Sequence, residues 1–357
     1  MGSAAARSRC RERIERLAGS TMDGESIRRE AIAQLQCVIG FDRWCWPNAD
    51  PVSLLPLSGF ADHDYGPGVP RLLELEYSSD GFAAKHRVAR SERSAASLNA
   101  ETAGDLALSA RWDEVMRPVG IGDVAAVACR DRHGCWGWIE AYRDRSDRPF
   151  NDAELDLLAS VGTDLAPALR RDFAASATGG AAEPDPPPGV IVLEADLRIT
   201  SWTAAARTWL DAFSAAGLFA QWGIVAPTVY PVATRSRSST TASAARAVEP
   251  TVDGRMVVIE AAPLNGDVNG RVAVVLRGAT PRETFDLLCR AYALTRRERD
   301  VVGAVVAGLD TWAITERLFI SRYTIQDHLK SIFDKVGVHS RRELLAAFSA
   351  AADLTGD

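Results

Sequence analysis

The most constraining feature of this sequence is a C-terminal segment, residues 294–348, in which signals that begin and end helices recur at short intervals. Thr295 and Glu298 fit a capping box, in which the threonine hydroxyl accepts a bond from the third residue's N–H and the glutamate reaches back. Gly308 and Gly337 stand where a left-handed residue can end a helix. The segment is therefore predicted to fold into short helices joined by tight turns.

Four helices are predicted here, each with its own cap and apolar face. The first runs from Thr295 to about Ala307. The caps of the second, third and fourth are Asp310, Ser321 and Ser340. The side chains expected to face the interior are Val301, Val302, Val305 and Val306, then Ile314 and Leu318, then Ile325, Leu329, Ile332 and Phe333, and finally Leu344, Leu345 and Phe348. Such helical spacing predicts a small all-α bundle.

The phrases of this segment resemble the LuxR-type (GerE-type) helix-turn-helix in order and spacing. The matching stretches are LTRRERDVV, AGLDTWAITERLFIS and YTIQDHLKSIFDKVGVHSRREL. The resemblance implies that residues 310–318 form the positioning helix and residues 321–336 the recognition helix, which enters the major groove of DNA. Double-stranded DNA is therefore the expected partner.

Candidate DNA contacts follow from that resemblance. Gln326, Asp327 and Lys330 occupy the positions that face base edges, and glutamine, aspartate and lysine can bond adenine, cytosine and guanine respectively. Because Asp327 would also repel phosphate, orienting Lys330 is an alternative role for it. The residues implied to contact phosphate, which position the helix without reading sequence, are Arg322, Tyr323, Thr324, Lys335, Ser340 and Arg341.

The predicted positioning helix departs from the usual family pattern at two neighbouring residues. Ala313 stands where the family usually has an acidic side chain, and Trp312 precedes it. Trp312 is either an exposed contact for a neighbouring domain or partner, or a partly buried member of the bundle. A plain helical bundle with a solvated charged face is disfavoured for the whole segment, because caps, turns, inward residues and basic positions agree.

The rest of the chain is predicted to hold two more domains, since 357 residues exceed what one core usually organises. The predicted divisions are an N-terminal helical segment (1–24), a first domain (25–173), a Pro/Gly/Ala linker (174–189), a second domain (190–278), a connecting helix (279–293), the helix-turn-helix domain (294–349) and a tail (350–357). Polar residues 234–247 are predicted to form a long loop or a surface helix in the second domain.

The first domain has an α+β pattern. Residues 123–129 and 135–142 alternate as strands, and residues 151–171 have the spacing of an amphipathic helix. Cys129 and Cys135 are better explained as strand residues beside a His-Gly turn than as a metal or redox pair. The phrase WGWIEAYRDRSDRPFNDAELDLLASVGTDLAPAL resembles the end of a GAF-type sensor domain and carries no diagnostic ligand motif.

The second domain begins with strands at 190–193 and 199–202 and a helix at 204–213, and it ends with strands at 255–261 and 271–276. This order resembles a small PAS-like domain. No cofactor is predicted for either sensor-like domain, and no metal site is expected. A small-molecule effector and RNA polymerase are both open as partners.

Charge and composition limit the function further. The formal net charge is −6, so attraction to DNA must come from one local face. The sequence contains no run of about eighteen apolar residues and no signal-peptide stretch, which predicts a cytoplasmic protein without a membrane segment. Six scattered cysteines fit reduced thiols.

These observations predict α+β sensor domains, GAF-like and PAS-like, followed by an all-α four-helix LuxR-type helix-turn-helix domain. The predicted function is a one-component transcription regulator that binds DNA as a homodimer under the control of its sensor domains. The alternative is a regulatory adaptor whose sensor domains bind a partner protein. An enzyme is not expected, because none of the five histidines stands with a nucleophile signature or metal-ligand spacing.

Overall fold

The computed structural model describes residues 3–62, 66–77, 81–178, 184–213, 227–238, 245–267 and 269–348, and the predicted tail, 350–357, lies outside them. The contacts of the chain divide it into two units. The first comprises residues 1–169, 186–249 and 258–277, and the second comprises residues 170–185, 250–257 and 278–357.

The N-terminal part of the first unit combines helices with a five-stranded antiparallel sheet of order β2-β1-β5-β4-β3. Its strands are β1 (Arg43–Ala49), β2 (Pro56–Ala61), β3 (Ala95–Ser97), β4 (Ile121–Asp131) and β5 (Gly134–Asp144). Its helices are α1 (Ala4–Ala18), α2 (Gly24–Ile39), α3 (Val69–Tyr77), α4 (Lys85–Val88), α5 (Leu98–Glu101) and α6 (Asp152–Ala177). This arrangement confirms the predicted α+β class.

Strands β4 and β5 form the predicted hairpin. Cys129 pairs with Gly137 across it, and Cys135 pairs with Arg130, so both cysteines are strand residues. All six cysteines of the chain are described, and each is a free thiol. Helix α6 approaches β4 closely at Gly162, where an added Cβ would lie only 2.9 Å from the Ala128 carbonyl oxygen.

Helix α6 is longer than predicted. It continues to Ala177, so the first four residues of the predicted linker are helical. Ala174 and Ala177 are buried, which explains why small residues that look like a linker remain in the helix. The far end of the predicted linker also differs, because Gly189 is the first residue of a strand.

The middle region forms a second five-stranded sheet, of order β7-β6-β10-β9-β8. Its elements are β6 (Gly189–Leu193), β7 (Ile199–Trp202), α7 (Ala204–Asp211), α8 (Val229–Ser238), β8 (Arg246–Pro250), β9 (Met256–Pro263) and β10 (Val272–Gly278). When the strands of each sheet are numbered along the chain from one to five, the two sheets have the same spatial order, 2-1-5-4-3.

The prediction of a long loop or a surface helix at residues 234–247 is wrong at both ends of that range. Thr234 and Ser236 are buried in α8, and Ala247 lies in β8, whereas residues 239–244 are outside the described part of the chain. Small hydroxyl residues can be buried in a helix when they bond its carbonyls. Ser236 does so, donating to the Ala233 carbonyl oxygen at 2.7 Å.

Buried carboxylates join the two sheets within the first unit. Asp50, beside β1, accepts a bond from the Val248 amide at 2.8 Å. Glu249 on β8 accepts bonds from the Ser58 amide and the Thr228 hydroxyl, both at 2.7 Å. Burial raises the pKa of Glu249 above its usual value, although these bonds oppose the rise.

The second unit contains five helices in the described region from residue 278 to 348. They are α9 (Pro281–Ala291), α10 (Arg296–Val306), α11 (Thr311–Leu318), α12 (Arg322–Val336) and α13 (Arg341–Ala347). Helix α10 contacts α11, α12 and α13. Phe285 and Tyr292 each place a ring 5.7 Å from that of Phe348, which secures α9 to the bundle.

Within the described part of the chain, none of the helices is long and apolar enough to cross a membrane. No group of histidine, cysteine, aspartate and glutamate side chains among the same residues could hold a metal ion.

Candidate nucleic-acid interface

Side-chain caps set the start of each helix around the interface. The Thr295 hydroxyl accepts from the Glu298 amide at 3.3 Å, and the Glu298 carboxylate accepts from the Thr295 amide at 2.7 Å. Asp310 and Ser321 each accept from the amide three residues ahead, at 2.8 Å and 3.1 Å. These bonds satisfy amides that a helix leaves unpaired at its N-terminus, so they define where α10, α11 and α12 begin.

Helices α11 and α12 are joined by only three residues, 319–321. The first of these, Phe319, has a left-handed backbone (φ 53°) and directs the chain into α12. Gly308 and Gly337 are left-handed as well and end α10 and α12. Ile314 and Ile325 are fully buried, so the two helices pack through their apolar faces.

Helix α12 has one buried and one exposed face. Ile325 and Ile332 are fully buried. Gln326, Asp327 and Lys330 are exposed on the other side. Within the described residues, the side chains of these three form no hydrogen bond or ion pair, so the alternative in which Asp327 orients Lys330 is not seen. An amide, a carboxylate and an ammonium are therefore presented together to solvent.

The N-terminal turn of α12 carries three of the predicted phosphate contacts. Arg322 is exposed, and Tyr323 is 81% exposed. Thr324 is half-buried, and its hydroxyl lies 2.9 Å from that of Ser321. Arg322 and Tyr323 are thus accessible to a phosphate, whereas Thr324 shares its hydroxyl with the cap.

Lys335, another predicted phosphate contact, is already paired. Its ammonium lies 2.7 Å and 2.6 Å from the two carboxylate oxygens of Glu298, which also accepts a 2.7 Å bond from Ser331. Burial raises the pKa of Glu298, but the bonds from Lys335, Ser331 and Thr295 outweigh it and bring the pKa to about 2. Lys335 keeps one of its three donors for DNA, so its phosphate contact stays a prediction.

The pairing of Lys335 with Glu298 was missed by sequence reasoning, which assigned Glu298 only to a cap. A signal was present, because Lys335 follows the buried Ile332 by three residues and so stays near the inward face of α12. Relative to Lys330 it is rotated by about 140° around the helix.

Ser340 and Arg341 also have structural partners. The Ser340 hydroxyl accepts from the Glu343 amide at 3.2 Å and lies 2.9 Å from the Glu343 carboxylate. Arg341 donates through Nη2 to the Leu309 carbonyl oxygen, in the turn before α11. Both residues stay predicted phosphate contacts, but their first role in this structure is to hold α13 and that turn in place.

Four residues expected in the interior are less buried than predicted. Leu318, Leu329 and Phe333 are half-buried, and Leu345 is 38% exposed. Helix α13 has only seven residues, so its inward face is filled by Leu344 and the adjoining Phe348, both fully buried. Leu345 is the next residue after Leu344 and is rotated by about 100°, away from that face.

Trp312 is 71% exposed. The alternative of partial burial in the bundle is therefore wrong, since the side chain is open to solvent near the start of α11. Its carbonyl accepts a 2.7 Å bond from the Thr315 hydroxyl, which is a local bond within the helix.

Two short packed helices joined by a tight turn, the second presenting a polar face, define a helix-turn-helix DNA-binding domain. Residues 292–348 match the family model described as bacterial regulatory proteins, luxR family. The C-terminal domain is therefore a LuxR-family helix-turn-helix, as its phrases predicted.

Curated relatives share this likeness. SgaR of Hyphomicrobium methylovorum, named as a transcriptional regulatory protein, is 41% identical over 79 residues, which are 21% of this chain and 37% of SgaR. A protein of Aeromonas salmonicida, named as an HTH-type transcriptional regulator in the exeN 3′ region, is 44% identical over 55 residues, 15% of this chain and 28% of the relative. A protein of Mycobacterium tuberculosis, also named as an HTH-type transcriptional regulator, is 45% identical over 53 residues, which are 15% of this chain and 6% of the relative. The chain thus spans 6% to 37% of the length of these relatives.

Proposed function

We propose that this protein is a transcription regulator that binds double-stranded DNA sequence-specifically through helix α12. The observation that carries the proposal is the exposed group of Gln326, Asp327 and Lys330, opposite a face anchored by buried isoleucines. Glutamine can bond adenine at two atoms, lysine can donate to guanine, and aspartate can accept from cytosine. The group can therefore distinguish base pairs in the major groove.

Affinity for the DNA backbone is expected to come from a small area. Because the net charge of the chain is −6, no general attraction to DNA is available. Arg322 and Tyr323 are exposed at the start of α12 and are the best placed phosphate contacts. A single module of this size makes few contacts, so we propose a homodimer on paired half-sites.

The N-terminal α+β domains are proposed to act as sensors that control DNA binding, the first GAF-like (25–173) and the second PAS-like (190–278). Their sequence resemblances and their five-stranded sheets support this assignment. The proposed role is regulatory rather than catalytic, and the proposed site of action is the cytoplasm, where the DNA lies.

Genome-wide footprints would identify the operator, and mobility-shift titrations would then test the interface. Lys330→Ala is expected to weaken operator binding about tenfold or more, because a base contact is lost. Arg198→Ala removes one exposed positive charge from the second sheet domain and serves as the matched control. Equal affinity of the Lys330→Ala variant and the wild type would overturn the assignment of α12.

A further inference from the structure

A cavity of about 90 Å³ lies in the first unit, lined by residues of β1, β2, β5 and α3. Its apolar walls include Pro47, Leu57, Phe60, Val69 and Leu72. Its polar end is formed by Glu76, Lys85 and Glu140. One water-sized group needs about 10–15 Å³ of such space, so the cavity has room for roughly six to nine such groups, which is about the size of one ring with a substituent.

The polar end of the cavity belongs to a buried ionic cluster. The Lys85 ammonium lies 2.9 Å and 2.8 Å from the two carboxylate oxygens of Glu76 and 2.9 Å from Oε1 of Glu140. Arg111, which does not line the cavity, lies 3.3 Å from Glu76 and 3.9 Å from Glu140. With two acidic and two basic groups, the cluster is neutral in total.

The bonds within the cluster determine what it can still offer a ligand. Lys85 has three donors, and its three short contacts occupy them. Both contacts of Glu140 use Oε1, and within the described residues no partner is recorded for Oε2. The polar end can therefore accept a hydrogen bond from a ligand, through Glu140, but can hardly donate one.

We propose that this cavity binds a small, neutral, mostly apolar molecule whose single O–H or N–H group donates a hydrogen bond to Glu140. A charged ligand fits less well, because its charge would have no counter-ion in a cluster that is already neutral. The apolar walls favour a ring or a short branched chain, and the carboxylate selects the donor.

Helix α3 connects the cavity to the second sheet domain within the first unit. Val69, Leu72 and Glu76 of α3 line the cavity. The next residue, Tyr77, has the Arg235 guanidinium of α8 at 5.7 Å from its ring centre. Because α8 belongs to the second sheet domain, filling the cavity acts on the helix that contacts that domain.

The role of the cavity as the effector site of the sensor domains rests on the proposed regulatory function. Ligand binding by the cavity does not. Ligand binding is measured on the full chain without DNA. Failure to bind a ligand therefore leaves the DNA-binding test unaffected, and failure to bind DNA leaves the cavity test unaffected.

Phenol and toluene are suitable probes, because they have nearly the same size and differ in one hydroxyl donor. In calorimetric titrations, the wild type is expected to bind phenol about tenfold more tightly than toluene. Phenol can donate a hydrogen bond to the charged Glu140 carboxylate, whereas toluene has no donor. Glu140→Gln is expected to bring this ratio towards one. Val69→Phe fills the cavity and is expected to abolish binding of both probes.

Val52→Phe is the matched control, because it makes the same substitution at a residue that is 64% exposed, and it is expected to bind as the wild type does. Val69→Phe changes no charge, so it tests the site even if Glu140→Gln fails to fold. Absence of phenol binding to the wild type, equal affinity for phenol and toluene, or phenol binding that survives Val69→Phe would each overturn the proposal.

Discussion

The helix-turn-helix domain and the first sheet domain use polar side chains in opposite ways. In the former, caps such as Asp310 and Ser321 bond amides three residues away, and the polar face of α12 stays open to solvent. In the latter, Lys85 and Glu140 come from distant parts of the sequence and neutralise each other in the interior. In the helix-turn-helix domain, local bonds leave the polar side chains of α12 accessible to DNA. In the sheet domain, the long-range pair of Lys85 and Glu140 forms the polar end of a cavity.

The largest effect is expected in the sheet domain, for Lys85→Met. Removing the ammonium leaves the buried carboxylates of Glu76 and Glu140 with Arg111, at 3.3 Å and 3.9 Å, in place of the shorter contacts to Lys85. Breaking a buried ion pair in this way typically costs about 3–5 kcal/mol. Urea unfolding at neutral pH measures the free energy of unfolding of the variant.

The matched control for Lys85→Met is Arg29→Ala, which removes an exposed ion pair with Glu25, 2.7 Å long, within α2. It is expected to cost about 0.5 kcal/mol or less, because exposed pairs are screened by solvent. If both substitutions had the same small effect, the buried cluster would not stabilise the domain and the contrast between the two regions would fail.

A smaller effect is expected for Glu298→Gln in the helix-turn-helix domain. The substitution weakens bonds from Lys335 and Ser331 to a carboxylate that is 4% exposed, and about 2 kcal/mol of stability is expected to be lost. Thermal unfolding of the variant at neutral pH measures this loss, with Glu316→Gln, an exposed residue of α11, as control.

The same glutamate predicts a pH dependence. The pKa of Glu298 is lowered from 4.5 to about 2 in the folded chain, so its stabilisation is fully present above pH 4.5 and is lost as the pH falls towards 2. The stability difference between wild type and Glu298→Gln should therefore shrink over that range. A difference that stayed constant from pH 5 to about pH 2 would contradict the ion pair.

The smallest effect is expected for Asp310→Ala, which removes the cap of α11. Loss of such a cap costs about 1 kcal/mol. Asp334→Ala changes an exposed aspartate in α12 and is the control in the same thermal unfolding measurement. Equal melting temperatures for the two variants would show that the 2.8 Å bond to the Ala313 amide does not stabilise the domain.

Much of the helix-turn-helix domain was predictable from sequence because its determinants are local. A cap and its amide are three residues apart, and helical periodicity alone places Gln326 and Lys330 opposite Ile325 and Ile332. The resemblance added the DNA partner. The same reasoning reached its limit at Lys335, whose partner Glu298 is 37 residues away on another helix.

The sheet domains were less predictable. Strand alternation indicated β4 and β5, but the cluster around Lys85 depends on which strands and helices become neighbours in space, and no periodicity reports that. Residues 234–247 show the same limit, since a polar composition did not reveal that Thr234 and Ser236 would be buried in α8. The exposure of Trp312 was undecided for the same reason.

Base reading by helix α12 is tested most directly by measuring operator binding of a triple variant, Gln326→Ala with Asp327→Ala and Lys330→Ala. All three side chains are exposed, so the variant should melt like the wild type. In a titration against operator and unrelated DNA, the variant is expected to bind both with the same weak affinity. A variant that still prefers the operator as strongly as the wild type would contradict base reading by α12.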